Sequence, residues 1–71
     1  MTSLHTKAYK EVIDRLKKAR IDAGLTQVEA AKSLNKPQSF ISKVENRQRR
    51  LDVLEIREFA RLYGVKLDDL I

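Results

Sequence analysis

The stretch LNKPQSFISKVENRQRR, Leu34 to Arg50, decides how this chain is read. Asn35 tolerates the left-handed conformation, and Pro37 has no amide hydrogen to leave unpaired. Asn35-Lys36-Pro37 therefore predicts a tight break and then a helix from about Pro37 to Asn46. At about 100° per residue, Phe40, Ile41, Val44 and Glu45 fall on one side of that helix. Gln38, Ser39, Ser42, Lys43 and Asn46 fall on the other. The first side is apolar with a single acid; the second is made of hydrogen-bonding side chains with a single cation. Exposed helix faces are ordinarily rich in Glu and Lys, whereas Ser and Asn weaken a helix. A merely solvated face is thus a poor account of this one, and Arg47, Arg49 and Arg50 stand directly beside it.

Such a face suits the major groove of double-stranded DNA. Gln can pair in a bidentate way with adenine, Lys can donate to guanine O6 and N7, and Ser can meet several base edges. Gln38, Ser39, Ser42 and Lys43 are therefore the expected base readers. Asn46 and the loop residues Arg47, Arg49 and Arg50 are placed to hold phosphates. Phe40, at the edge of the apolar side, reads either as half-buried packing or as a contact to the DNA backbone or a thymine methyl.

Working outward, Tyr9, Val12, Ile13, Leu16, Ala19 and Ala23 recur at three- and four-residue spacing. They predict a first helix over about Thr6 to Ala23, stopped by Gly24. Thr26 and Glu29 form a capping-box pattern opening a short second helix, about Gln27 to Leu34, with Val28, Ala31 and Leu34 on its buried side. Asp52 and Glu55 cap a fourth helix that ends before Gly64, with Val53, Ile56, Phe59, Ala60 and Tyr63 as its core face. Leu67 to Ile71 can add a last turn. A short helix, a tight turn and a polar-faced helix make a helix-turn-helix. The expected fold is all-α, a bundle of four to five short helices in one domain over residues 1–71, with residues 1–5 flexible.

Composition narrows the function classes. The net charge of +5 is uneven: residues 35–50 carry five Lys/Arg against Glu45 alone, while residues 51–71 carry three against five acids. A basic pole favours a polyanionic partner. There is no cysteine, hence no thiolate metal site or disulfide framework. No apolar run approaches a membrane span or a secretion signal, so a soluble cytoplasmic protein is expected. His5 has no second ligand at helical spacing, Asp68-Asp69 suits a helix cap better than acid/base work, and no phosphate loop or Ser/His/Asp set occurs. No metal, cofactor or catalysis is expected.

The segment LKKARIDAGLTQVEAAKSLNKPQSFISKVENRQRRLDVLEIREFARLYGV, from Leu16 to Val65, resembles the Cro/C1-type (XRE-like) helix-turn-helix regulators of phage and bacteria. R-x-x-x-G-L-T-Q-x-E-x-A followed by F-I-S-K-V-E-N carries the resemblance. It implies a five-helix, lambda-repressor-like domain that binds operator DNA, usually as a symmetric dimer. By position it assigns Gln27 to a phosphate, Gln38, Ser39 and Lys43 to bases, Ser42 to a place between them, and Asn46 and Arg47 to the backbone. It also pairs Arg20 with Glu45, and the residues agree: Glu45 lies on the inward side of its helix, and a buried carboxylate needs a partner. Lys36 departs from the family's usual apolar residue, and Arg47 stands where glycine often ends the helix.

Leu54 and Leu62 lie off the core face of the fourth helix. With Leu67, Leu70 and Ile71 they form an expected dimer patch away from DNA. The expected function is a sequence-specific regulator, a repressor on a palindromic operator, working on the nucleoid. The alternatives are an antitoxin or restriction-modification controller of the same fold, or a helical protein-interaction adaptor.

Overall fold

A computed structural model describes residues 5–71. The expected flexible lead falls, His5 apart, outside them. Four α-helices occur among the described residues: α1 Lys7–Asp22, α2 Gln27–Ser33, α3 Gln38–Glu45 and α4 Val53–Tyr63. A 3₁₀ turn over Leu67–Asp69 follows α4. The chain is all-α, as the periodicities predict.

Local chemistry sets the starts. Thr6 Oγ1 accepts from the Tyr9 amide at 3.2 Å and opens α1. The Thr26–Glu29 box closes at 3.1 and 2.9 Å, and the Asp52–Glu55 box at 2.8 and 3.0 Å. Each box satisfies amides that a helix N-terminus otherwise leaves open. At α3, Pro37 occupies the cap position with φ −71° and no side-chain cap bond.

The ends share one device. Gly24, Asn35, Arg47 and Gly64 all have positive φ, at 76°, 57°, 58° and 71°. Beyond each, an amide reaches back five residues: Leu25 to Arg20, Lys36 to Ala31, Gln48 to Lys43 and Val65 to Ala60, at 3.2, 2.9, 2.8 and 3.0 Å. Each helix thus closes in a Schellman-type turn, which satisfies its last carbonyls and reverses the chain sharply. Two of the four left-handed residues are not glycine, and both border α3. For Arg47 the Cβ clash costs roughly 1–2 kcal/mol. Arg47→Gly should therefore raise stability by about 1 kcal/mol, or roughly 4–8 °C in Tm for a domain of this size. A thermal melt checks this. No gain would mean that contacts of the Arg47 side chain offset the strain.

Tyr9, Ile13, Leu16 and Ala19 of α1, Ala30 and Ala31 of α2, Ile41 and Val44 of α3, and Ile56, Phe59, Ala60 and Tyr63 of α4 form the core, joined by Leu51 and Leu70. Tyr9 also bonds across the fold, its hydroxyl accepting from the Leu51 amide at 3.1 Å. The small side chains of Ala30 and Ala31, both buried, bring the backbone of α2 close to its neighbours.

Three expectations need correction. Val28 is 44% exposed. The inner stripe of α2 runs instead through Gln27, Ala30, Ala31 and Leu34, rotated so that the Gln27 amide enters a polar contact described below. Val53 is 59% exposed, because the first residue of α4 projects beyond the core that Ile56 reaches a turn later. Leu70 is 1% exposed and belongs to the core, lying with Ala19, Ala23, Tyr63 and Val65 between α1 and α4. It is not part of an exposed dimer patch. Of the other members, Leu54 and Ile71 are exposed, while Leu62 and Leu67 are half-buried.

Candidate nucleic-acid interface

Helix α3 stands on two side chains that exclude solvent completely, Ile41 and Val44. With those fixed inward, Gln38, Ser39, Lys43 and Asn46 are exposed and Ser42 is half-buried. Asn46 Nδ2 lies 3.4 Å from Ser42 Oγ, a long bond that leaves both groups able to turn to another partner. The face read from the sequence as hydrogen-bonding is the face that points outward.

An ion pair fixes the tilt of this helix. Arg20 Nε donates to Glu45 Oε2 at 2.7 Å and Nη2 to Oε1 at 3.1 Å. Arg20 Nη1 donates to the Leu25 carbonyl at 2.8 Å, tying the end of α1 into the same contact. The two side chains are 10% and 3% exposed. Glu45 therefore points inward, as its place on the apolar side predicts. The bidentate bond to Glu45 raises the Arg20 pKa above its ordinary value, against the opposing effect of burial. Gln27 joins them: its Nε2 donates to Glu45 Oε1 at 3.0 Å. An amide expected at a phosphate is thus part of the lock in the free protein. Its place one turn before Ala30 and Ala31 on α2 is the only signal of this in the sequence.

Tyr63 borders the same contact. Its hydroxyl is buried without a hydrogen-bond partner. Burial, and then the negative charge of Glu45, push its pKa up. Its ring packs at 5.7 Å from that of Phe59.

The basic loop after α3 is more structured than its composition suggests. Arg47 is half-buried at the left-handed position. It lies near Asp14 of α1, whose carboxyl is held below its usual range first by the bond from Lys10 and then in part by Arg47. Arg50 is exposed. Arg49 is committed within the protein: Nη1 and Nη2 fork onto Glu55 at 3.1 and 2.8 Å. Nη1 also reaches the Arg50 carbonyl at 2.9 Å. Its guanidinium lies 4.7 Å from the Phe40 ring centroid. Glu55 read from the sequence as a cap only; it serves the cap and Arg49 together, and its pKa is lowered chiefly by the Arg49 bond.

Phe40 is half-buried, its ring parallel to that of Phe59 at 6.1 Å between centroids. That is the packing reading of the two left open. The Lys36 ammonium lies 5.5 Å from the same ring. Among the described residues no three acidic or histidine side chains gather to hold a metal, and no helix is long and apolar enough to cross a membrane.

A family model described as helix-turn-helix matches residues 16–70. Among solved structures, an XRE-family like protein from Pseudomonas syringae pv. tomato str. DC3000 is similar. It is 48% identical, with a TM-score of 0.82 over 87% of this chain and 76% of that one. No curated protein matches the chain.

Proposed function

The chain belongs to the Cro/C1-type, XRE-like helix-turn-helix family of DNA-binding regulators, and from that membership we propose that it is a repressor acting as a homodimer on a palindromic operator. The observation that carries this reading is the outward face of α3, in which Gln38, Ser39, Ser42 and Lys43 stand together over a buried anchor. In the major groove these four read base edges, with Gln38 suited to adenine and Lys43 to guanine. Asn46, Arg47 and Arg50 hold phosphates beside them, and Gln27 joins them by leaving Glu45.

Residues 16–70 are the helix-turn-helix unit itself, and occupancy of DNA is the output such a unit gives. Occupancy alone represses when the site overlaps a promoter. The outer side of α4 supports the paired form: Leu54 is 63% exposed and shares a shallow surface with Arg57, Glu58 and Arg61. Side chains of both signs around an apolar contact suit a self-complementary, two-fold interface.

Selection of bound sequences from a random duplex pool tests the reading. The expected result is an enriched palindrome whose half-sites lie about one helical turn apart, roughly 34 Å. A pool that enriches no motif would remove base reading, and a single half-site would remove the dimer. On the selected site, Lys43→Ala should narrow the preference over random DNA by about 1–3 kcal/mol. An equal loss on every sequence would reassign Lys43 to a phosphate.

A further inference from the structure

Phe40 gathers two cations around one ring, and they are not equivalent. Arg49 is 4.7 Å from its centroid and forked onto Glu55. Lys36 is 5.5 Å away and exposed; its ammonium makes no side-chain hydrogen bond or ion pair among the described residues, and acts on Glu55 only at longer range. We infer that Lys36 is a phosphate contact on the Phe40 side of the recognition helix, while Glu55 withholds Arg49 from that role. This rests on the proposed placement of α3 in the major groove.

The backbone explains how Lys36 comes to be there. The turn that ends α2 puts Asn35 at φ 57° and bonds the Lys36 amide to the Ala31 carbonyl at 2.9 Å. The residue after the left-handed one normally packs an apolar side chain on the last turn of the helix. Here that position carries an ammonium on a flexible stem. Its methylenes can follow the apolar surface while its head stays in water. The head comes to rest beside Phe40, whose ring is fixed from behind by Phe59. A cation over an aromatic face is weakly held when exposed, so it turns readily to a stronger anion.

Geometry places that anion. Around α3, Phe40 follows Lys43 at about 60° on the side opposite Glu45 and Gln27. A helix in the major groove is flanked by two phosphodiester strands. Gln27, bonded to Glu45, lies toward one of them. Phe40, with Lys36 beside it, faces the other. Of the two cations over the Phe40 ring, Arg49 has its charge balanced by Glu55, which leaves Lys36 to meet this second strand.

Salt-dependent DNA binding of the full chain separates these roles, since each phosphate contact contributes about 0.9 to the slope of log K against log salt. Lys36→Gln should lower that slope by about 0.9 and weaken binding to every duplex on the order of fivefold near physiological salt. Arg49→Gln should leave the slope unchanged while lowering Tm. Glu55→Gln keeps the capping box, because glutamine serves the same cap. It should steepen the slope by about 0.9 as Arg49 is released to the DNA. An unchanged slope for Lys36→Gln, or a reduced one for Arg49→Gln, would overturn the assignment. Both slopes are read on random duplex as well as on a selected site. Loss of sequence preference therefore strikes the base-reading proposal alone, and the Lys36 result stands apart from it.

Discussion

Arg20→Met is expected to bring the domain to the edge of unfolding. The substitution removes the bidentate partner of Glu45 and leaves a carboxylate, 3% exposed, with the Gln27 amide as its remaining hydrogen bond. Breaking one side of a buried pair costs about 3–5 kcal/mol. Domains of this length hold roughly 0.05–0.15 kcal/mol per residue, so the loss is comparable with the whole. Arg20 also carries the Leu25 carbonyl, and the turn between α1 and α2 loses its tie together with α3. Urea titration followed by circular dichroism reads the effect. A shift worth under about 1 kcal/mol, the range of an exposed pair, would show that the contact is open to solvent. The double variant Arg20→Met, Glu45→Leu is the informative control. Replacing both charges by apolar groups is often neutral or stabilising, so stability should return. Base discrimination should not, because nothing bidentate then sets the angle at which α3 is presented.

Phe59→Ala is the second large effect. Phe59 is buried between the rings of Phe40 and Tyr63 and is the largest fully enclosed side chain. Truncating a core phenylalanine costs about 3–5 kcal/mol through lost transfer energy and the void left behind. For a domain this small that corresponds to a fall in Tm of more than about 12 °C. The aromatic contacts give the loss a direction. Phe40 loses the ring behind it, and the cations on Phe40 lose their fixed seat. DNA binding measured well below the melting temperature should therefore show a scattered, weaker phosphate contribution. A fall of only a few degrees would mean that α3 and α4 close over the gap.

Much of this fold was legible because its signals are local. Thr26–Glu29 and Asp52–Glu55 announce two helix starts; Gly24, Asn35 and Gly64 announce three ends. The periodicity of α1 is long enough to fix its inner face. Where the reading failed, an element was too short or a position too near an end. α2 has seven residues, fewer than two full turns, so one polar contact by Gln27 rotates its buried stripe away from Val28. Val53 and Leu70 sit at a helix start and beyond a helix end, where periodicity no longer says what lies opposite.

The site divides in the same way. The outward direction of Gln38, Ser39, Ser42 and Lys43 follows from the angle per residue. The inward direction of Glu45 does too, and the structure joins it to Arg20. The attachment of Arg49 to Glu55 and of Lys36 to Phe40 depends on the path of two loops, and no spacing encodes that. A count of basic residues treats Arg47, Arg49 and Arg50 alike. Folding makes one strained, one neutralised by a neighbour and one exposed.

The two non-glycine left-handed residues that bracket α3 also fix how much text the protein can read. Between Asn35 and Arg47 the helix has eight residues, a rod of about 12 Å at 1.5 Å per residue. That rod passes beside roughly four base pairs at 3.4 Å each. Four letters recur about once in 256 positions, against the millions of competing sites in a genome. One copy reading alone therefore has a vocabulary too small to find an address. Selectivity has to come from doubling the word or from how easily the flanking DNA bends.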